Sequence, residues 1–318
     1  MRKWSRPPLS SGPVRARPRL QQIYFSPTTA LADWRNTLSV LSRILTGLFV
    51  LPAALSVAFA QAPAITAGGT VNAASNAAGT PVSAGSLVSI YGSNFAAGIL
   101  AASTVPLSTT IGSTSVTMNG IPAPLDFVSG GQINAEVPFN VLPAGTNGSV
   151  NVVVTNNGVA SAPQPVVINQ AGPAIFGDAN LTPFYAIAYF GLGTDPRFGT
   201  EAWPPNTIPG YTTNLAKPGD LLTILATGLG GVTPTEANGS APSYDPGTYQ
   251  NHNTVATPTV LIGNVQAQVL FSGLAPQFPG VYQINVYVPQ IPAGNAVPIQ
   301  IQVGTALSPP AYIGVGTP

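Results

Sequence analysis

One segment occurs twice in this sequence, first as Ala84-Gly85-Ser86-Leu87-Val88-Ser89-Ile90-Tyr91-Gly92-Ser93-Asn94-Phe95. It returns as Lys217-Pro218-Gly219-Asp220-Leu221-Leu222-Thr223-Ile224-Leu225-Ala226-Thr227-Gly228-Leu229. In both copies a glycine turn precedes a short, mostly apolar run that closes near a second glycine, which is typical of a buried strand between two turns. The segments that follow recur in the same order. The sequence therefore predicts one β-structured unit that is present twice.

A β-hairpin follows the repeated strand in each copy. In the first copy Asn119-Gly120 separates two alternating runs, and this dipeptide is a strong hairpin signal because both positions tolerate positive φ. Gly263-Asn264 takes its place in the second copy. Pro122 and Pro124 come after the first turn. Because proline cannot donate to a β-ladder, we expect that strand to lie at a sheet edge or to pair little.

The third repeated feature is an alternating run that begins with Gln-Ile-Asn. Gln132-Ile133-Asn134 in the first copy corresponds to Gln283-Ile284-Asn285 in the second. The offset between the copies grows from 134 at the first strand to 151 here, so the insertions of the second copy fall in loops such as 230–257. Short alternating strands at this spacing predict an all-β protein with two tandem immunoglobulin-like β-sandwiches.

The composition agrees with a turn-rich β protein. Charged residues make up 6% of the 318 residues, against about 25% in typical domains. Glycine and proline, 34 each, serve as turn punctuation between runs rich in Val, Ile, Thr and Tyr. The chain has no cysteine, which excludes disulfides and thiol catalysis.

The net charge of +1 conceals an uneven distribution. Eight of the ten basic residues lie in the first 43 positions. After residue 60 only Arg197 and Lys217 are basic, against eight acidic residues, a net charge of −6. No basic patch is available to neutralise phosphates, so we predict no nucleic-acid partner.

Residues 1–60 have the pattern of a targeting segment. Arg43 precedes an apolar run, 44–60, which ends in the small-x-small triplet Ala58-Phe59-Ala60. This order of basic, apolar and cleavage regions predicts a bacterial Sec-type signal peptide, with Gln61 as the first mature residue. The alternative is an uncleaved membrane anchor, but the run is shorter than the ~20 residues that a span needs. We therefore expect a secreted or cell-surface protein that has no membrane association after cleavage.

The predicted division after the signal is a first β-sandwich at 63–171, a connecting insertion at 172–214 and a second β-sandwich at 215–318. The insertion holds eight of the 19 aromatic residues that follow residue 60. Its aromatic side chains either form a surface for a glycan or a protein partner, or plug a core between the sandwiches. The plug is favoured because large aromatic side chains usually bury their area. If the protein binds a ligand, the predicted contact residues are Trp203, Tyr211, Arg197, Tyr185 and Tyr189.

A search for reactive side chains finds no catalytic arrangement. His252 is the only histidine, it lies in a polar loop where we expect it to be solvated, and no Gly-x-Ser-x-Gly motif accompanies it. Glu136 is expected on the outward side of a strand, and Asp220 at a turn where it bonds to local backbone. One histidine without cysteine cannot fill a zinc site, and no calcium-loop motif is present. We predict no catalytic, cofactor-binding or metal-binding residues.

Several motifs resemble a known bacterial family, the uncharacterised Solibacter-type C-terminal domain of secreted acidobacterial proteins. The resemblance covers nearly everything after residue 60. It implies export and an immunoglobulin-like or IPT/TIG-like β architecture, and it implies no known activity. The aromatic residues of 184–211 depart from the short polar stretch usual in such domains. The motifs are Gly69-Thr70-Val71-Asn72-Ala73-Ala74-Ser75, 81–94, 116–134, Gly172-Pro173-Ala174-Ile175-Phe176, Ala226-Thr227-Gly228-Leu229-Gly230, Gly273-Leu274-Ala275-Pro276 and Tyr282-Gln283-Ile284-Asn285-Val286.

The sequence thus favours a non-catalytic extracellular module with a structural, adhesive or ligand-binding role. A carbohydrate-binding module that uses the aromatic insertion is the first alternative, and an extracellular hydrolase of unrecognised type is the second. The expected partners are an extracellular polysaccharide or another surface protein. We also expect self-association, because charges are sparse and the edge strands lack lysine.

Overall fold

The computed structural model describes residues 61–191, 193–243 and 250–317, and the strands in these ranges build two β-sandwiches. These ranges contain no helix, and hence none long and apolar enough to cross a membrane. The predicted signal peptide, 1–60, lies outside the described residues. The prediction of an all-β protein with tandem β-sandwiches is confirmed.

The first sandwich, called sandwich 1, has two sheets that pack face to face. The five-stranded sheet has the order β1-β3-β9-β8-β4, and the seven-stranded sheet has the order β2-β12-β10-β6-β5, with β7 and β11 paired to its members. The buried core between them includes Ile90, Ile133, Val116 and Val152. The strands are β1 (Ala64–Asn72), β2 (Val82–Ser83), β3 (Leu87–Ser93), β4 (Leu100–Ala101), β5 (Thr110–Ile111), β6 (Thr114–Met118), β7 (Ile121–Pro122), β8 (Leu125–Val128), β9 (Gln132–Glu136), β10 (Gly148–Asn156), β11 (Val159–Ala160) and β12 (Gln164–Asn169).

The second sandwich, called sandwich 2, is built from one sheet of 13 strands that folds over on itself. The long strand β21 pairs with β20 at its start and with β22 further on, and so belongs to both layers. Leu222, Ile284, Val260 and Ile299 lie in the core between the layers. The strands are β13 (Ala174–Ile175), β14 (Gly177–Asp178), β15 (Tyr185–Ala186), β16 (Ala188–Phe190), β17 (Leu221–Thr227), β18 (Val232–Thr233), β19 (Asn253–Thr254), β20 (Thr259–Ile262), β21 (Val265–Leu274), β22 (Tyr282–Tyr287), β23 (Gly294–Val303), β24 (Ala306–Leu307) and β25 (Ala311–Val315).

The predicted hairpin turns are present in both sandwiches. Asn119 and Gly120 have φ of +54° and +78°, and Gly263 and Asn264 have φ of +59° and +64°. All four residues therefore adopt the left-handed conformation that a two-residue hairpin turn needs. The prediction for both turns is confirmed.

The prolines after the first turn divide a strand that is continuous in sandwich 2. Ile121–Pro122 forms only two pairs with β6, and the chain then passes to the other sheet as β8. Gln266 and Gln268 stand at the equivalent positions of sandwich 2, where β21 runs unbroken. Because proline has no N–H to donate, the first copy cannot extend its ladder here, as predicted.

The 172–214 segment supplies the first strand of sandwich 2. In sandwich 1, β1 pairs with β3 on both sides of an irregularity between Ile65 and Thr70. In sandwich 2, β13 and β16 pair with β17 in the same way, with residues 176–187 between them. The rest of the segment is a crossover to the second layer, where Ala216 pairs with Val315. Most of the aromatic residues thus lie either in the long irregularity between β13 and β16 or in the long crossover that follows β16.

Both sandwiches belong to one compact unit, and hydrogen bonds join them directly. The Leu87 N–H of sandwich 1 donates to Thr227 Oγ1 of sandwich 2, at 2.9 Å. The Asn72 side chain donates to Gly172 O at 2.9 Å, and Gly172 N–H donates to Gly228 O at 2.9 Å. The junction therefore fixes the two sandwiches through buried backbone and side-chain contacts rather than through a flexible linker.

Candidate functional site

Trp203, the central residue of the predicted ligand site, is buried. Its side chain is only 4% exposed, and Nε1–H donates to Ala186 O at 2.6 Å. Its ring centroid lies 6.0 Å from that of Tyr185, which is also buried and donates from its hydroxyl to Asn295 O. Burial raises the pKa of Tyr185. Both rings are buried, but their hydrogen-bond partners belong to sandwich 2, so they do not form the plug between the sandwiches that the sequence favoured.

Arg197, also predicted as a ligand contact, is bound to carboxylates of its own chain. Its Nη2 lies 2.7 Å from Asp195 Oδ2 and 2.8 Å from Asp220 Oδ1, and its guanidinium stacks 4.0 Å from the Phe190 ring centroid. The hydrogen bond from Arg197 lowers the pKa of Asp195. Asp220 also accepts the Lys217 N–H at 2.7 Å, which confirms its predicted local role. Arg197 thus fastens the crossover to the turn before β17.

The remaining two predicted residues, Tyr189 and Tyr211, lie toward an outward surface of sandwich 2. Glu201 pairs with Tyr189 across an isolated bridge, and Tyr211 donates its hydroxyl to Glu201 Oε2 at 2.6 Å. Burial raises the pKa of Glu201, while this hydrogen bond opposes the rise. Tyr189 in turn pairs with Thr223. Trp203, Tyr185 and Arg197 therefore stabilise the fold, while Tyr189 and Tyr211 lie nearer the surface. The Tyr211 ring still packs against that of Trp203, with centroids 6.4 Å apart.

A row of side chains continues from Tyr189 across the sheet. Thr223 pairs with Asn285, and Asn285 pairs with Phe271, so the row crosses four strands. It points away from the core, because the flanking Leu222, Ile224, Ile284 and Val286 are core residues. We call this surface the open face. It consists of Tyr189, Leu221, Thr223, Gln268, Leu270, Phe271, Gln283, Asn285 and Tyr287.

A hydrogen-bond network organises the centre of the open face. Asn285 Oδ1 accepts from Thr223 Oγ1 at 3.1 Å and from Gln283 Nε2 at 2.9 Å. Two donors on one acceptor fix the orientation of the Asn285 amide. The face therefore carries a pre-positioned polar centre with tyrosines on either side.

Sandwich 1 has the same network at the equivalent position, but there it is buried. Asn134 Oδ1 accepts from Ser89 Oγ at 3.1 Å and from Gln132 Nε2 at 2.9 Å. Asn134 and Ser89 are both buried, and Asn134 Nδ2 has no hydrogen-bond partner among the described residues. We call this surface the docked face. It consists of Val71, Leu87, Ser89, Pro124, Asp126, Phe127, Gln132, Asn134 and Glu136.

A loop of sandwich 2 covers one end of the docked face. We call residues 228–243 the docking loop. Gly239 N–H donates to Glu136 Oε1 at 3.0 Å, and Leu107 N–H donates to Gly239 O at 2.8 Å. Asn238 Oδ1 accepts the Phe139 N–H at 2.8 Å, while the Phe139 ring packs against the core of sandwich 2. The insertion predicted at 230–257 therefore holds the two sandwiches together.

Glu136 points to the outward side of its strand, as predicted, but it is not exposed. The docking loop leaves it fully buried, and its Oε2 has no hydrogen-bond partner among the described residues. Burial raises its pKa from 4.5 to about 8; the Gly239 N–H opposes the rise and the charge of Glu236 adds to it. The sequence could not reveal this burial, because the loop that causes it lies about 100 residues further on.

His252 is not solvated, contrary to the expectation from its polar flanks. Its side chain is buried, with Nδ1 2.8 Å from Pro234 O and Nε2 3.2 Å from Glu236 Oε2. These contacts join the later part of the 228–257 loop, at His252, to its earlier part, at Pro234 and Glu236. Within the described ranges no three histidine or acidic side chains converge to hold a metal ion.

The open and docked faces correspond residue by residue but differ in exposure. On the open face, Leu270 is 47% exposed and Tyr287 is 38% exposed. Their counterparts are both acidic: Asp126 corresponds to Leu270 at the ladder irregularity, and Glu136 corresponds to Tyr287. The further pairs are Leu87 with Leu221, Ser89 with Thr223, Pro124 with Gln268, Phe127 with Phe271, Gln132 with Gln283 and Asn134 with Asn285.

Comparison with known proteins supports the fold of sandwich 1. Residues 70–168 match the model of the IPT/TIG domain, which confirms an IPT/TIG-like unit there. The resemblance to the Solibacter-type family stays a prediction. No curated protein matches the chain.

The solved structures that match the chain have low sequence identity to it. One is SGBP-B of the Bacteroides ovatus mixed-linkage glucan utilization locus, in complex with a mixed-linkage heptasaccharide, with 11% identity and a TM-score of 0.30 over 75% of this chain and 44% of that one. Another is SGBP-B from a complex xyloglucan utilization locus of Bacteroides uniformis, with 14% identity and a TM-score of 0.23 over 80% of this chain and 50% of that one. The Escherichia coli adhesin FdeC has 12% identity and a TM-score of 0.20 over 74% of this chain and 62% of that one. The chain spans about half the length of the first two.

Proposed function

We propose that the chain is a non-catalytic extracellular module, structural or adhesive, that binds a macromolecular partner through the open face of sandwich 2. One observation carries the proposal. Two faces with the same strand pairing and the same Asn-centred network exist in the molecule. A loop of the neighbouring sandwich covers one end of the docked face, while the open face exposes Gln268, Leu270 and Tyr287 around the buried Thr223. Exposed apolar side chains clustered within a polar rim are typical of binding surfaces.

The non-catalytic part of the proposal rests on what the acidic groups and the histidine contact. Glu136 is buried at the junction, Glu201 accepts from Tyr211, and His252 braces its own loop. General acid–base work needs such groups beside a bound substrate, not committed to internal structure. Incubation with polysaccharide, ester and peptide substrates tests this. Turnover that Glu201→Gln or His252→Ala abolishes would show a hydrolase.

A specific observation also favours polysaccharide as the partner. Tyr189 lies two strands from Asn285 in the same row, and Tyr287 lies two residues from it on the same strand. Aromatic rings beside an oriented amide suit the apolar faces and hydroxyls of sugars. The row from Glu201 to Phe271 spans about 19 Å at ~4.8 Å per strand, long enough to follow an extended polymer. A carbohydrate-binding role is therefore the second candidate.

Binding to immobilised polysaccharides and cell-wall fractions tests the open face. Tyr287→Ala and Asn285→Ala should each weaken binding at least tenfold. Tyr287→Ala should leave the melting temperature nearly unchanged because its side chain is exposed, whereas Asn285→Ala should also lower it slightly because Thr223 and Gln283 lose their acceptor. Phe198→Ala is the matched control, since Phe198 is an exposed aromatic outside the open face. Binding that survives both open-face variants would contradict the proposed site.

A further inference from the structure

The junction of the two sandwiches shows which part of sandwich 2 covers the docked face of sandwich 1. The covering end of sandwich 2 comprises the end of β17, the docking loop and the turn before β22. Thr227 Oγ1 accepts the Leu87 N–H at 2.9 Å and donates to Gly280 O at 2.7 Å, so one side chain joins both parts to the docked face. Gly228, with φ of +80°, turns the chain from β17 into the loop.

Sandwich 1 has an equivalent end, formed by the end of β3, the loop that follows it and the turn before β9. Ser93 corresponds to Thr227, and Asn94 has φ of +59°, the same left-handed turn as Gly228. We call this end of sandwich 1, with its loop 95–106, the free end. Its loop carries Ile99, Leu100 and Val105, which are 73%, 42% and 50% exposed.

The open face is better suited to apolar contact than the docked face. On the docked face Glu136 is buried and Asp126 is partly buried, and burial raises the pKa of both carboxyl groups. Removing carboxyl groups from water costs free energy, whereas removing apolar area from water is favourable. On the open face Leu270 and Tyr287 replace these two acids, so a contact there gains apolar burial without that cost.

From these equivalences we infer that the partner of the open face is a second copy of this chain, which docks its free end there and so builds head-to-tail assemblies. The inference rests on the proposed function and names its partner. The intramolecular junction supplies the template. Among the described residues, the free end exposes Ile99 and Val105, and the open face exposes Leu270 and Tyr287 at the positions of Asp126 and Glu136. Because the two surfaces differ, the contact is heterologous and extends chain by chain rather than closing as a two-fold dimer.

A complementation experiment on the mature chain, residues 61–318, tests this by sedimentation velocity over a concentration series. Leu270→Asp blocks the open face, and Ile99→Asp blocks the free end. Each variant alone should remain monomeric at concentrations at which the unmodified chain forms a ladder of oligomers. An equimolar mixture should form dimers and nothing larger, since one intact surface of each kind remains. Leu307→Asp is the matched control, because Leu307 is 52% exposed outside both surfaces.

A cysteine pair gives a second, independent readout, because the natural chain has no cysteine. The double variant Val105→Cys with Tyr287→Cys should form a ladder of disulfide-linked oligomers under mild oxidation, because Tyr287 stands where Glu136 accepts from the docking loop and Val105 is an exposed residue of the corresponding loop. The control pair, Val105→Cys with Leu307→Cys, should form at least tenfold less of it. Equal cross-linking by both pairs would overturn the assigned contact.

The outcomes separate this inference from the proposed function. A strictly monomeric chain at high concentration and low salt, with Asn285-dependent binding of a polysaccharide, overturns head-to-tail docking and leaves the proposed function standing. Dimers that persist in both single variants show a different, isologous contact and also overturn it. If the chain neither self-associates nor binds any tested polymer or surface protein through the open face, both fail.

Discussion

Glu136 makes a prediction about stability and pH, because it is a carboxyl group buried at the junction of the two sandwiches. In the unfolded chain it releases its proton near pH 4.5, whereas burial in the folded protein raises its pKa to about 8. Between these values the folded state holds a proton that the unfolded state has lost. The free energy of unfolding must then fall as the pH rises, by about 1.4 kcal/mol per pH unit for a single group.

Over the whole interval from 4.5 to 8 the predicted loss is about 5 kcal/mol. The contribution is fully present below pH 4.5 and is gone above pH 8. Glu136→Gln removes the ionisable group and keeps an oxygen for the Gly239 N–H. The variant should therefore lack this part of the pH dependence, and should gain stability relative to the unmodified protein as the pH rises.

Urea unfolding of both proteins at half-unit steps from pH 4.5 to 9 measures this difference. The quantity to compare is the change in the gap between the two proteins, which cancels titrations that they share. Asp178→Asn is the control, since its carboxylate lies near the surface and caps its own turn at Asn180. A constant gap between the unmodified protein and Glu136→Gln across the range would refute the reasoning, because it would mean that Glu136 titrates alike in both states.

Three further predictions concern stability. Trp203→Ala should lower the free energy of unfolding by about 3–5 kcal/mol, and Phe198→Ala by less than about 0.5 kcal/mol, in parallel urea titrations, because only the first ring is buried. Arg197→Met should cost about 1–2 kcal/mol, and less at 1 M NaCl, because its two ion pairs are partly exposed and screened. Gly228→Ala should cost at least about 1 kcal/mol and increase the radius of gyration in X-ray scattering, since its φ is +80° and a Cβ would overlap Gly172 O.

The repeated architecture could be predicted because its determinants are local in the sequence. The turn at Asn119-Gly120 and the apolar alternation of Gln132-Ile133-Asn134 each depend on a few neighbouring residues. Such signals survive in both copies because the core needs them. Counting them was enough to predict an all-β protein of two sandwiches.

The role of the 172–214 segment could not be predicted from the same signals. Ala188–Phe190 is too short to show alternation, and it forms a strand only because β17 is there to pair with it. Composition indicated correctly that large aromatic residues concentrate in this segment. Which of them are buried depends on tertiary contacts. Trp203 is buried, for example, whereas Tyr211 is exposed.

The junction was also beyond local reasoning, since it joins residues that lie far apart in the chain. No residue near Glu136 in the sequence indicates that Gly239 will donate to it, and none near His252 indicates its contact with Pro234. The expectation of a solvated His252 failed because a remote part of the loop decides its burial, and the burial of Glu136 on the outward side of its strand has the same kind of cause. The growing offset between the copies did locate that loop, but not the surface it covers.

The duplication finally allows the two candidate partners of the open face to be weighed within one molecule. The network around Asn285 has the same kinds of donor, a hydroxyl and a glutamine amide, and the same distances as the one around Asn134, which is buried. The positions of the amides therefore follow from the pairing of the strands. Their presence on the open face is not by itself a reason to expect a sugar. What distinguishes the open face is the replacement of two acids by Leu270 and Tyr287. That change favours an apolar protein surface over a hydroxyl-rich polymer, which is why a second copy of the chain is the stronger candidate.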